Sequence, residues 1–88
     1  MAKAVLHKGK VTRRDGEAVP GALVWVASGT APTPEIAIRC NEEGRFQIAL
    51  PPGGYVIEAE AADGERGTTT VETGGDSKEI EIVVGMKP

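Results

Sequence analysis

Between positions 45 and 50, apolar Phe46, Ile48 and Leu50 alternate with Arg45, Gln47 and Ala49, the period-two pattern of a strand with one buried face. Asn41-Glu42-Glu43-Gly44 ahead of it is a turn that ends in a residue free to take positive φ. Behind it, Pro51-Pro52-Gly53-Gly54 forbids both helix and a central ladder, since proline has no N–H to donate. Tyr55, Ile57, Ala59 and Ala61 then alternate with Val56, Glu58 and Glu60 on the way back. The pattern predicts a hairpin across residues 41–61, with its two strands paired to each other.

The rest of the chain is placed around that stretch. Residues 5–12 put Val5, His7, Gly9 and Val11 on one face and Leu6, Lys8, Lys10 and Thr12 on the other, which favours strand over helix. Asp15-Gly16 is a tight-turn signature, and Val19-Pro20-Gly21 reads as a second bend. In residues 22–27, Ala22, Val24 and Val26 alternate with Leu23, Trp25 and Ala27, so this strand is apolar on both faces and one of those faces must meet something. A loop over 28–34 leads to a strand over 35–40 with Ile36, Ile38 and Cys40 on one side. Asp63-Gly64 turns the chain again into a threonine-rich strand over 68–71. After Gly74-Gly75-Asp76, Ile80, Ile82 and Val84 alternate with Glu79, Glu81 and Val83. Turn signals about every 8 to 12 residues, with no helix, repeat or linker, predict an all-β, seven-stranded, two-sheet Greek-key β-sandwich.

Several of these residues form an ordered set: Gly9-x-Val11, Gly16, Val19-Pro20-Gly21-Ala22-x-Val24-x-Val26, Glu43-Gly44-Arg45-Phe46 and Leu50-Pro51-Pro52-Gly53-x-Tyr55. Each part is short, but their order and spacing resemble the carboxypeptidase regulatory-like domain of the prealbumin-like (transthyretin-like) β-sandwich group, over about residues 9–84. The resemblance implies a non-catalytic accessory module of the kind attached to peptidases, outer-membrane transporters or surface proteins. It brings no active-site residues. Read as a free-standing module without signal peptide or neighbouring domain, the chain is expected to depart from that setting, which leaves the partner open.

Composition narrows the functional classes. The chain has 88 residues, read as a single domain over 1–88, and a chain of this length buries only roughly 60 to 65% of its unfolded surface. Aromatics are 3% and glycines number 12, in keeping with pleated sheets and tight turns. A net charge of −3 gives no general attraction to nucleic acid or anionic membrane. No segment approaches the ~20 apolar residues of a membrane span, and the first residues lack a signal-peptide run. A full-length chain is then expected in the cytoplasm, and one excised from a secreted protein outside it.

Candidate chemistry is sparse, and no cofactor or metal is expected. His7 is the single histidine and Cys40 the single cysteine, so a zinc site lacks its ligand cluster and no internal disulfide forms. Cys40 falls on the core side of its strand and reads as a small buried hydrophobe. Ser28 and Ser77 have no histidine base positioned by spacing and no nucleophile elbow, so no hydrolase triad assembles. Transthyretin-like hydroxyisourate hydrolases share the architecture, but they carry several histidines and a Tyr-Arg-Gly-Ser ending, where this chain has Gly85-Met86-Lys87-Pro88. That enzyme reading is the remotest. Asp63-Gly64-Glu65 and the 41–44 turn offer oxygen ligands without a calcium-loop spacing, and read as solvated turns. Gly53-Gly54 and Gly74-Gly75 are turns too, since a phosphate loop needs a helix after it.

Interaction is the leading function. If Val24 and Val26 face the core, Leu23 and Trp25 face outward, either as an anchor of the kind interfaces and sugar sites use or partly covered by long loops. Leu23, Trp25, Val56 and Val83 are the expected partner-binding residues, for a protein partner or a second copy. A carbohydrate stacked on Trp25 is the alternative. Residues 1–14 hold Lys3, Lys8, Lys10, Arg13 and Arg14 without an acid, while 58–81 hold 8 acids and 2 bases. If the first and last strands are neighbours, these charges pair. Strand 68–71 carries no lysine or proline, so as an edge it invites pairing with another chain.

Overall fold

The computed structural model describes residues 4–29 and 37–85. Seven strands follow in order: β1 (Val5–Arg13), β2 (Leu23–Gly29), β3 (Ile38–Arg39), β4 (Arg45–Leu50), β5 (Gly53–Glu60), β6 (Arg66–Thr73) and β7 (Glu79–Val84). They form two sheets, one ordered β4-β1-β7 and the other β3-β2-β5-β6. This is the all-β, seven-stranded, two-sheet sandwich expected from the alternation and turn spacing.

Period-two patterning decides what each strand buries. His7, Gly9 and Val11 of β1, Phe46, Ile48 and Leu50 of β4, and Ile80, Ile82 and Val84 of β7 face inward from the three-stranded sheet. Val24 of β2 and Tyr55, Ile57 and Ala59 of β5 meet them from the other. Burying a side chain of this size contributes roughly 1.5 to 3 kcal/mol, and this layer holds the two sheets together. At Asn41 the side-chain Oδ1 accepts the N–H groups of Glu43 and Arg45, each at 2.9 Å, and Gly44 closes the turn at φ 72°, as its sequence requires.

The hairpin expected across residues 41–61 does not form. β4 pairs antiparallel with β1, whereas β5 pairs with β2 and β6, so the two strands lie in different sheets. Alternation fixes which face a strand buries but not which strand lies beside it. Here Phe46, Ile48 and Leu50 meet Tyr55, Ile57 and Ala59 face to face through the core rather than edge to edge. The Pro51-Pro52 corner carries the chain between sheets and is tied to β6. The Pro51 carbonyl accepts the Tyr55 hydroxyl at 2.7 Å and the Thr73 hydroxyl at 2.9 Å. The true hairpin is β5–β6, closed by Ala61 N–H to the Glu65 carbonyl at 2.8 Å and Gly64 N–H to the Ala61 carbonyl at 2.9 Å.

β1 is central in its sheet and runs parallel to β7, with Lys8 opposite Glu79 and Lys10 opposite Glu81. The basic N-terminal strand and the acidic last strand are therefore neighbours, which meets the condition under which their charges face each other. β3 is shorter than the expected strand over 35–40, whose Glu35 and Ile36 lie outside the described residues. β6 is longer than the expected 68–71 and is an edge strand.

Candidate functional site

β2 and β5 pair in antiparallel register, Leu23 opposite Glu60 and Trp25 opposite Glu58, with a bulge between Val26 and Ser28. Because Val24 and Ile57 point inward, Leu23, Trp25 and Val56 stand on the outer face, each partly exposed. Trp25 and Val56 are diagonal neighbours across the strand pair, within reach of an indole. Thr68 and Thr70 of β6 continue this face. Glu58 and Glu60 stand on β5 between these β2 and β6 residues, so the face mixes Leu23, Trp25 and Val56 with carboxylates.

Val83, the fourth expected residue, is half exposed at 49% but sits on β7, in the other sheet, so it does not join that face. Leu6 is equally open at 50%, on the same outer face as Val83, and was not singled out from the sequence. Leu6 lies six residues along β1 from Thr12, the partner of Val83, or about 20 Å in an extended strand. Lys8, Lys10, Glu79 and Glu81 fill the space between them, so the outer face of the three-stranded sheet is charged rather than apolar.

The remaining candidates have structural roles. His7 is fully buried, and its Nδ1 accepts the Lys78 N–H at 2.9 Å, so the proton of the neutral ring lies on Nε2, which finds no partner among the described residues. Ser77 donates to the Leu6 carbonyl at 2.8 Å, so His7 and Ser77 together clasp the segment before β7 against β1. Cys40 is buried, and desolvation pushes its thiol up to about 11, away from the reactive thiolate. The carboxylates of the 63–65 turn are not simply solvated. Arg13 reaches across from β1 to Asp63 at 3.1 Å and also pairs with Glu65. Asp63 also accepts the Glu65 N–H, and this bond, with Arg13 beside it, holds its carboxyl below the usual aspartate range.

A cleft of about 470 Å³ runs between β1, β3 and β4, with Lys8, Arg39 and Arg45 on its walls. Arg39 is held by the Gly21 carbonyl at 3.2 Å, and Arg45 lies 3.9 Å from Glu43. No group of three or more histidine, cysteine or acidic side chains able to hold a metal occurs among the described residues.

Comparison with solved structures supports the fold. A DUF3823 family protein from Parabacteroides merdae superposes with a TM-score of 0.69 at 21% identity, covering 96% of this chain and 47% of the other. S.CueP superposes with a TM-score of 0.66 at 12% identity, covering 97% of this chain and 65% of the other. The chain thus spans less than two thirds of either protein, and identities this low speak to architecture alone. No curated protein matches the sequence. The carboxypeptidase regulatory-like domain is matched over residues 8–85, from the β1 lysine to the glycine after β7, and the chain belongs to that family.

Proposed function

We propose that this domain is a non-catalytic interaction module that holds a protein partner against the outer face of β2 and β5. The observation that carries this reading is Trp25, partly exposed on the outer sheet face with Leu23 beside it on β2 and Val56 diagonal to it on β5. A rigid indole on such a face supplies contact area at little entropic cost. The family supports an accessory role. The side chains best suited to catalysis are used elsewhere: His7 receives a backbone N–H in the core, and Cys40 is a buried thiol. The carbohydrate reading draws less support, because Tyr55 and Phe46 are buried and Trp25 has no second aromatic to extend a sugar platform.

The test compares wild-type protein with Trp25→Ala in quantitative pull-downs from native extract. The variant is expected to lose the stoichiometric partner while its thermal midpoint falls by only a few degrees, since an exposed cross-strand contact is worth about 0.2 to 1 kcal/mol. Failure of the variant to fold, or undiminished retention of the partner, overturns the reading.

A further inference from the structure

A second interaction surface lies at the edge of the same sheet, independent of the Trp25 face. Ala61 and Glu65 form a hydrogen-bonded pair at the β5–β6 turn, so bonding alternates along the ladder: Gly67, Thr69 and Val71 turn their backbone groups to β5, while Arg66, Thr68, Thr70 and Glu72 turn theirs outward. The Arg66 carbonyl confirms the phase, because it accepts the Gly85 N–H at 3.1 Å on the side away from β5. Beyond Arg66 no strand covers β6 among the described residues, and β6 has no proline, lysine or bulge to deter pairing.

We propose that two copies of this chain pair antiparallel along β6 about a twofold axis at Thr69, joining their four-stranded sheets into one continuous sheet. In that register Thr68 faces Thr70 of the other copy, Gly67 faces Val71, and Arg66 faces Glu72. The outward backbone groups of Thr68 and Thr70 then meet those of the other copy, while each Arg66 carbonyl keeps its Gly85 N–H, so Arg66 and Glu72 meet through their side chains alone. Each Arg66 guanidinium, 54% exposed and bound through Nε to Glu60, turns its remaining donors to Glu72 of the other copy. Moving the axis to Thr68 or Thr70 keeps backbone bonding but loses both charge pairs, and a one-residue slip turns the backbone groups away. The other edges do not offer this. β3 has only 2 residues; β7 carries Glu79 and Glu81 with no base; β4 carries Arg45 with no acid. Only β6 holds one base and one acid placed symmetrically about its centre, which makes it self-complementary.

Sedimentation velocity and light scattering on the full chain test this, with circular dichroism as the check on folding. Wild-type protein is expected to dimerise with rising concentration. Arg66→Glu and Glu72→Arg, each alone, should weaken the dimer roughly ten- to hundredfold by turning two attractions into two repulsions. Mixing the two variants restores both charge pairs and should recover a heterodimer. Thr70→Pro removes an outward N–H that β5 does not use, so it should leave a folded monomer. A wild-type monomer up to about millimolar concentration, a dimer indifferent to Thr70→Pro, or a mixture that stays monomeric overturns the proposal. A dimer lost in Trp25→Ala but retained in the β6 variants would instead assign self-association to the outer face.

Discussion

Gly67→Ala should be among the most damaging single-methyl additions this fold can receive. At Gly67 the edge of β6 crosses the end of β7, and an added Cβ would lie 2.1 Å from the Val83 carbonyl oxygen, 2.7 Å from its carbon and 3.0 Å from the Val84 Cα. All three are backbone atoms, so no side chain can swing aside. β7 must move away from β6, carrying Ile82 and Val84, both fully buried, and breaking the Gly85 N–H bond to the Arg66 carbonyl. Overpacking typically costs about 1 to 3 kcal/mol and the lost hydrogen bond about 0.5 to 1.5, so a net loss of about 2 to 4 kcal/mol follows. For a domain of 88 residues that is a fall of roughly 10 to 30 °C in thermal midpoint. Gly74→Ala is the control, because no atom lies within 4 Å of its added Cβ, and it should shift stability by less than about 0.5 kcal/mol. Urea and thermal denaturation of both variants give the answer. A Gly67→Ala protein as stable as wild type would show that the sheets do not approach at this corner.

Two further expectations follow from the ionisable groups. Cys40 is a thiol whose pKa rises from 9.0 to about 11 on folding, so its contribution to stability is complete below pH 9 and is lost as pH climbs toward 11. Native protein should resist a thiol reagent at pH 8, and Cys40→Val should flatten the alkaline limb of a stability profile; rapid labelling of folded protein would contradict the burial. Asp63 behaves in the opposite sense. Its pKa is lowered from 3.8 on folding, so the stability it confers is present above that value and fades as pH falls through the depressed one. Thermal midpoints of Asp63→Asn and wild type should converge at acid pH and differ near neutrality, and parallel curves would refute a role for the Arg13 cluster.

The face each strand buries was legible from the period-two pattern, because Phe46, Ile48, Leu50, Tyr55, Ile57 and Ala59 are spaced as a sheet demands. Strand adjacency was not. Pro51-Pro52-Gly53-Gly54 looks the same whether it closes a hairpin or crosses between sheets, and the Thr73 hydroxyl that decides the matter comes from 20 or more residues along the chain. Arg13 was read as part of a basic run, yet it neutralises Asp63 and Glu65 across the molecule, a pairing no local spacing encodes. Trp25 could be placed on an outer face by parity alone. Val83 could be placed outward by the same rule, but parity does not say which sheet a strand joins, so it was grouped with residues on the far side of the sandwich.

The two outer faces differ for a reason that bears on function. β1 is central and parallel to β7, which aligns Lys8 with Glu79 and Lys10 with Glu81. These opposite charges face each other across the register and leave that face charge-compensated, a poor surface for burying a partner. On the opposite face β2 contributes Leu23 and Trp25 where an ordinary solvent-facing strand would present polar groups, with Val56 diagonal to Trp25 and Thr68 beyond Glu58. Leu23 and Trp25 lie outside the core cluster and remain partly exposed. That difference between the two faces is the physical basis on which the interaction module is proposed.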